Sequence, residues 1–247
     1  MAQLDWLTAR PIAHRGLHDA PLGIIENTAA AFSAAIAAGY GIETDLQISA
    51  DSEAMVHHDD ALGRLTEGSG RLAEMSSTQI KAVPFKAGTG RILTLAELCD
   101  LVAGRVVLLL ELKSHIDADT RLAERAIDVL AGYRGHVALM SFDPVLSEYL
   151  RYKAPSLPRG IVAERYYSHP EWDGLTASQK QRMSWLLHSP QSHPQFLAYS
   201  VKDLPAMVPW VARLVGLPVL AWTVRTSEDR QVAARWADQV IFEGWRP

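Results

Sequence analysis

Residues 106–113 read Val106-Val107-Leu108-Leu109-Leu110-Glu111-Leu112-Lys113. An unbroken apolar run of this length predicts a strand buried on both faces. Leu122, Ala126, Val129 and Leu130 follow at helical spacing and predict a long amphipathic helix. His136–Phe142 returns to strand character. This strand–helix–strand unit continues in both directions. Upstream, Pro11–His14 reads as a strand. Asn27 and Thr28 then cap a helix carrying Phe32, Ala35 and Ile36, which Gly39 ends. Tyr40–Ile48 is the next strand, and Thr94 caps the helix through Leu98 and Leu101 that leads back to Val106. Downstream, strands at 160–163, 196–200, 218–224 and 239–243 alternate with helices at 144–152, 178–187, 205–215 and 227–236.

Two stretches depart from the alternation. The polar turn Ser49–Glu53 is too short for a parallel crossover, so Ala54–His58 should fold back as an antiparallel hairpin arm. Residues 59–93 carry Gly63, Gly68, Gly70, Pro84, Gly88 and Gly90 and read as an irregular excursion with at most one short helix, near Thr78–Val83. With the arm set aside, eight parallel-type strands remain. The expected fold is α/β: a single (β/α)8 barrel over residues 1–247, with a small insertion at about 49–93. After the last strand only Gly244–Pro247 remains, so a final helix is missing or trivial.

Composition narrows the function classes. Of 247 residues, 48% are apolar and 21% charged, which excludes a mainly disordered chain. Lys plus Arg is 24 and Asp plus Glu is 28, a net charge of −4 without a basic run. A nucleic-acid partner is disfavoured, whereas a small anionic ligand needs only a few local cations. Cys99 is the only cysteine, so an intramolecular disulfide and a cysteine zinc site are excluded. Met1–Arg10 lacks the pattern of a secretory leader, and the run Val106–Leu110 is far too short to span a bilayer. A cytoplasmic location is the expectation, and the chain could assemble with copies of itself.

In a barrel of this type the chemistry lies at the carboxyl ends of the strands. That rule selects His14, Arg15, Glu43, Asp45, His58, Glu111 and Lys113. Glu43 and Asp45 share one strand face and should repel each other unless a cation or basic partners offset them. With Glu111 they suit one hard divalent cation, Mg²⁺ or Ca²⁺, better than zinc. His14 and His58 can exchange protons near neutral pH. Arg15 and Lys113 would steady an anionic substrate, or simply pair with the carboxylates. The remaining histidines read as structural. Trp222 lies on the strand Val219–Val224, where its indole is either core or the wall of a pocket.

These residues carry a resemblance. His14-Arg15-Gly16, Glu26-Asn27-Thr28, Glu43-Thr44-Asp45, His58-Asp59-Asp60 with Leu62, Arg64 and Thr66, Gly68-Ser69-Gly70, and Glu111-Leu112-Lys113 resemble, in order and spacing, the glycerophosphodiester phosphodiesterases. Ala221-Trp222-Thr223-Val224 resembles that family's tryptophan strand. The match is dense from Ile12 to Lys113 and sparse afterwards. The resemblance implies hydrolysis of glycerophosphodiesters to glycerol 3-phosphate and an alcohol. It implies a divalent metal on Glu43, Asp45 and Glu111, His14 and His58 as the acid/base pair, Arg15 and Lys113 on the phosphate, and Trp222 against the glycerol carbons.

Three positions differ from the family pattern. Ile25 stands where Pro is usual, Arg225 where Asn commonly follows the tryptophan strand, and Phe242-Glu243 where the last strand commonly ends in Thr-Asp. Arg225 and Glu243 are expected at the barrel mouth, where they could alter the alcohol selected. Two other readings stand beside the first: a related phospholipase D- or C-like phosphodiesterase acting on lysophospholipids, and a barrel that binds phosphorylated ligands without turnover.

Overall fold

The computed structural model describes residues 4–247. The leader reading of Met1–Arg10 falls partly on residues 1–3, which lie outside the described residues. The strands are β1 Ile12–Ala13, β2 Gly41–Ile48, β3 Ala54–Val56, β4 Leu108–Leu112, β5 Val137–Ser141, β6 Arg159–Ala163, β7 Phe196–Ser200, β8 Val219–Val224 and β9 Gln239–Phe242. Around the sheet the order is β1-β9-β8-β7-β6-β5-β4-β2, and β1 also pairs with β2. All these pairings are parallel, so the eight strands close into a (β/α)8 barrel. The closure is narrow. Ile12 and Ala13 sit between Gly41–Ile42 on one side and Ile241–Phe242 on the other.

β3 pairs antiparallel with β2, Leu46 opposite Val56 and Ile48 opposite Ala54, as the short turn requires. The excursion behind it is better organised than its glycines suggest. It holds a helix Ser77–Ala82 and a 3₁₀ turn Leu72–Glu74, with Leu62, Leu72, Ile80, Phe85 and Ile92 packed on Met55. The helices otherwise fall close to their expected places. Thr28 caps Ala29–Ala38, and Gly39 ends it in the left-handed conformation that glycine adopts without strain. The helix Met207–Leu214 starts two residues later than expected because Ala206 stays extended.

Alternation along the strands sorts side chains into two cores. Ile42, Leu46, Leu110, Leu112 and Leu139 face the helices, as do Ile161, Ala163 and Ala221 further round. Ile12, Leu109, Ala138, Met140, Val162, Leu220 and Ile241 fill the barrel interior. Phe196 belongs to this inner layer, and its ring lies against Gly160. A Cβ on Gly160 would stand 2.3 Å from the ring, so only glycine fits there. A short helix, Asp5–Thr8, was not anticipated; Leu4 and Leu7 join the interior cluster at the amino-terminal end of the barrel. Among the described residues no helix is long and apolar enough to cross a membrane.

Candidate active site

The inward series continues two residues beyond the interior layer and there turns polar. Ile12 is followed by His14, Leu109 by Glu111 and Ile241 by Glu243, while Glu43 and Asp45 occupy the inward positions of β2. His14, Glu111 and Glu243 lie at or just past the carboxyl ends of their strands, the face on which a barrel carries its chemistry, and Glu43 and Asp45 reach them from within the longer β2, level with His14 and Glu111.

Glu43, Asp45 and Glu111 converge: each offers a carboxylate oxygen within 4.8 Å of the others, and all three are buried. β2 and β4 enforce this, since Asp45 stands directly opposite Glu111 in the parallel register. Lys113 Nζ lies 2.6 Å from Glu111 Oε1 and 2.9 Å from Asp45 Oδ1. Burial and the facing charges of Asp45 and Glu111 push the Glu43 carboxyl well above the usual carboxylate range. Burial pushes Asp45 the same way, but the Lys113 ammonium and Arg15 guanidinium outweigh it and hold Asp45 well below that range. Three buried carboxylates against two half-buried cations make a set of hard oxygen donors that fits a divalent cation.

Arg15 binds this group through both backbone and side chain. Its N–H donates to Glu43 Oε2 at 3.1 Å, and its guanidinium lies 3.4 Å from Asp45 and 2.7 Å from Glu26. Arg15 adopts φ +55° and Asn27 φ +56°, and the Asn27 N–H donates to the Arg15 carbonyl at 2.9 Å. Holding an arginine in the left-handed region costs about 1–3 kcal/mol, a strain characteristic of functional turns. The Asn27 side chain donates to Asp45 Oδ2 at 3.0 Å and accepts from Thr44 Oγ1 at 2.7 Å. Gly16, at φ +79°, lets this turn lie against Ala31.

The two histidines stand in different settings. His14 is buried, its Nδ1 2.7 Å from Glu243 Oε2 and its Nε2 4.0 Å from Glu43. Burial pushes it down to about 4 against the opposing pull of Glu243, so it is neutral at pH 7. With Nδ1 donating to Glu243, Nε2 keeps a free lone pair on the site side. Arg225 holds the same Glu243 oxygen at 2.8 Å. His58 follows β3, and its Nδ1 lies 2.8 Å from Asp59 Oδ1. Asp59 in turn accepts from Arg64 Nε at 2.6 Å.

Trp222 extends the interior series of β8, where the β8–β9 register shifts between Ala221 and Val224. It is half-buried, meets Phe142 edge-on at 5.6 Å, and its indole N–H has no acceptor among the described residues.

The structure thus gathers His14, Arg15, Glu43, Asp45, Glu111 and Lys113 at one mouth and joins His58 to them through the Asp59–Arg64–Glu26 chain. The supporting residues Glu26, Asn27, Asp59 and Arg64 stand in the motifs quoted from the sequence without a role in the site assigned there; only Asp59, next to His58, carries a local signal. Glu243 and Arg225, expected at the barrel mouth, form a chain in which Glu243 binds His14 and Arg225 binds Glu243.

A closed (β/α)8 barrel whose mouth combines buried carboxylates, cations and two carboxylate-bound histidines is equipped for phosphodiester hydrolysis, and the family match assigns it to that class of enzyme. The model of the glycerophosphoryl diester phosphodiesterase family matches residues 14–244, and the chain belongs to that family. It is similar to glycerophosphodiester phosphodiesterase of Caldanaerobacter subterraneus subsp. tengcongensis, 28% identical, with 89% of this chain and 87% of that protein covered. It is likewise similar to glycerophosphodiester phosphodiesterase 1 of Mus musculus, 33% identical, with 89% and 72% covered. An Oleispira antarctica phosphodiesterase, solved with the product sn-glycerol-3-phosphate, shares the fold with a TM-score of 0.78 at 20% identity, over 96% of this chain and 94% of that one.

Proposed function

We propose that the protein hydrolyses glycerophosphodiesters to glycerol 3-phosphate and an alcohol, with a divalent cation and the pair His14 and His58. The observation that carries this reading is the convergence of Glu43, Asp45 and Glu111 beside Arg15, Lys113 and a neutral, oriented His14. Glu43, Asp45 and Glu111 would hold the cation, Mg²⁺ or Ca²⁺; when bound it supplies Lewis-acid stabilisation of phosphoryl charge.

The protein's own groups divide the remaining work. Arg15 and Lys113 bind the non-bridging phosphate oxygens and offset their charge. His14 Nε2 takes the proton of the glycerol hydroxyl adjacent to the phosphate as that oxygen attacks phosphorus. His58 gives a proton to the departing alcohol oxygen, so the bond to the headgroup breaks without releasing an alkoxide. In the second half a water loses its proton to His58, attacks the cyclic phosphate, and His14 returns a proton to the glycerol oxygen. Trp222 and Phe142 form the apolar wall against the glycerol carbons.

The test is turnover of glycerophosphocholine, with glycerol 3-phosphate measured directly. Activity should vanish with EDTA and return with Mg²⁺ or Ca²⁺. Turnover that ignores the chelator overturns the metal assignment. Cleavage of lysophosphatidylcholine in preference to glycerophosphocholine would move the protein to the phospholipase reading.

A further inference from the structure

Resting on that reading, the chain of contacts behind the two histidine motifs has a consequence of its own. We infer that Arg64 is a positioning residue that sets the proton donor and the phosphate-binding arginine together. Its guanidinium reaches two carboxylates with different atoms: Nε lies 2.6 Å from Asp59 Oδ2, and Nη2 lies 2.7 Å from Glu26 Oε1. Each carboxylate passes the restraint inward. Asp59 uses its other oxygen to hold His58 Nδ1 at 2.8 Å, which turns Nε2 of that ring away from Asp59. Glu26 uses the same Oε1 to hold Arg15 Nη1 at 2.7 Å, while the Arg15 backbone and Nε remain on Glu43 and Asp45.

The arrangement needs a planar fork. A lysine ammonium is a point donor on a flexible stem and cannot hold two acids at fixed angles as guanidinium does. Burial pushes the Glu26 carboxyl up, but the bonds from Arg64 and Arg15 outweigh it and keep Glu26 below the usual range, so the bridge stays ionised. The side chain of Arg64 is 44% exposed, whereas those of Glu26 and Arg15 are each 15% exposed. Arg64 therefore closes the network from the solvent side, where substituting it removes little packing.

The two inward branches predict two separable kinetic effects. Branch one acts through His58, whose proton delivery to the leaving oxygen matters for an alkyl alcohol and not for p-nitrophenolate, a leaving group stable without a proton. The later water step, in which His58 is the base, is common to both esters, so branch one is read from the first-turnover release of choline or nitrophenolate. Branch two acts on phosphate binding, which both substrates share. Kinetics are therefore compared on glycerophosphocholine and on the p-nitrophenyl ester of glycerol 3-phosphate. Asp59→Asn should lower the first-turnover rate on glycerophosphocholine by roughly 10–100-fold, the size typical of a partner one bond behind a reacting or ligating group, and affect first-turnover nitrophenolate release far less. Glu26→Gln should raise KM on both esters with kcat nearly kept. Arg64→Met should show both signatures at once, and Arg64→Lys should restore at most one of them. Equal losses of Arg64→Met on the two esters, or a change in only one constant, would overturn the inference. If Arg64→Met melts below the assay temperature, the Asp59→Asn and Glu26→Gln split decides alone: two variants with the same pattern reject the two-branch arrangement. Wild-type protein inactive on both esters would defeat the hydrolase reading itself, whereas active wild type with undifferentiated variants defeats only this inference.

Discussion

At the scale of single residues, Trp222 is the position where packing and recognition diverge. It lines the upper end of the interior series and meets Phe142 edge-on, yet it remains half-buried and its N–H lacks an acceptor. Trp222→Ala should raise KM for glycerophosphocholine while costing clearly less than the about 3–5 kcal/mol expected for deleting a fully buried indole. Steady-state kinetics and a thermal melt on the same sample check this. A large drop in melting temperature with unchanged KM would make the indole purely structural. The candidate site residues were legible in the sequence: His14 after Ile12-Ala13 and Glu111 after Leu110 are polar where an apolar run ends, and Glu43 and Asp45 share one strand face. Their supports were not legible in the same way. Asp59 and Glu26 are acids at loop positions, where a solvated charge is the ordinary outcome. Only the fold brings the Arg64 fork within 2.7 Å of both. Glu243 is 229 positions from His14, a pairing that exists because β9 and β1 are neighbours only once the barrel closes.

At the scale of elements, β6 and β7 show how the interior is filled. Gly160 faces Phe196 across their parallel register, and the ring occupies the space a side chain on β6 would need. Gly160→Ala should therefore overpack the interior and destabilise the protein by about 1–3 kcal/mol. Adding Phe196→Leu should recover part of that loss. Urea unfolding midpoints of the single and double variants measure it. A Gly160→Ala protein as stable as wild type would mean that the ring moves aside freely. Most strands and helices were readable from periodicity to within a residue or two, but the helix read at 178–187 ends at Ser184, and the four-residue helices Asp5–Thr8 and Ser189–Ser192 are too short to show a period. The excursion after β3 was less readable. Its small core on Met55 draws on Leu62, Leu72, Ile80, Phe85 and Ile92, apolar residues spaced without a helical or strand period.

For the molecule as a whole, stability should depend on pH through buried neutral histidines. His188 is buried beside Ser192, its Nδ1 3.0 Å from the hydroxyl, and burial lowers it to about 4. His14 is lowered to the same value. The unfolded chain would protonate both near 6.5, before the folded protein does. Their contribution is thus complete above about pH 6.5 and is lost as pH falls toward 4. At pH 5 each histidine should cost on the order of 2 kcal/mol. His188→Gln, distant in sequence from the site residues, should make the decline between pH 7 and pH 5 shallower. Denaturant unfolding at the two pH values tests it, and an unchanged slope would place the titrating groups elsewhere.

The two-residue strand β1 gives the barrel a clasp rather than a weld. Ile12 and Ala13 are the only paired residues of the join between the first and last strands among the described residues, and His14, the next residue along, adds its N–H bond to the Phe242 carbonyl at 2.9 Å. Opening the clasp breaks few hydrogen bonds, leaves the remaining seven parallel strands paired in one curved sheet, and separates His14 from Glu243. Local opening of this kind lies at the low end of the free-energy scale within a fold. Heat should consequently silence the enzyme while most of its secondary structure is still intact, because His14 is fastened beside the shortest strand in the ring.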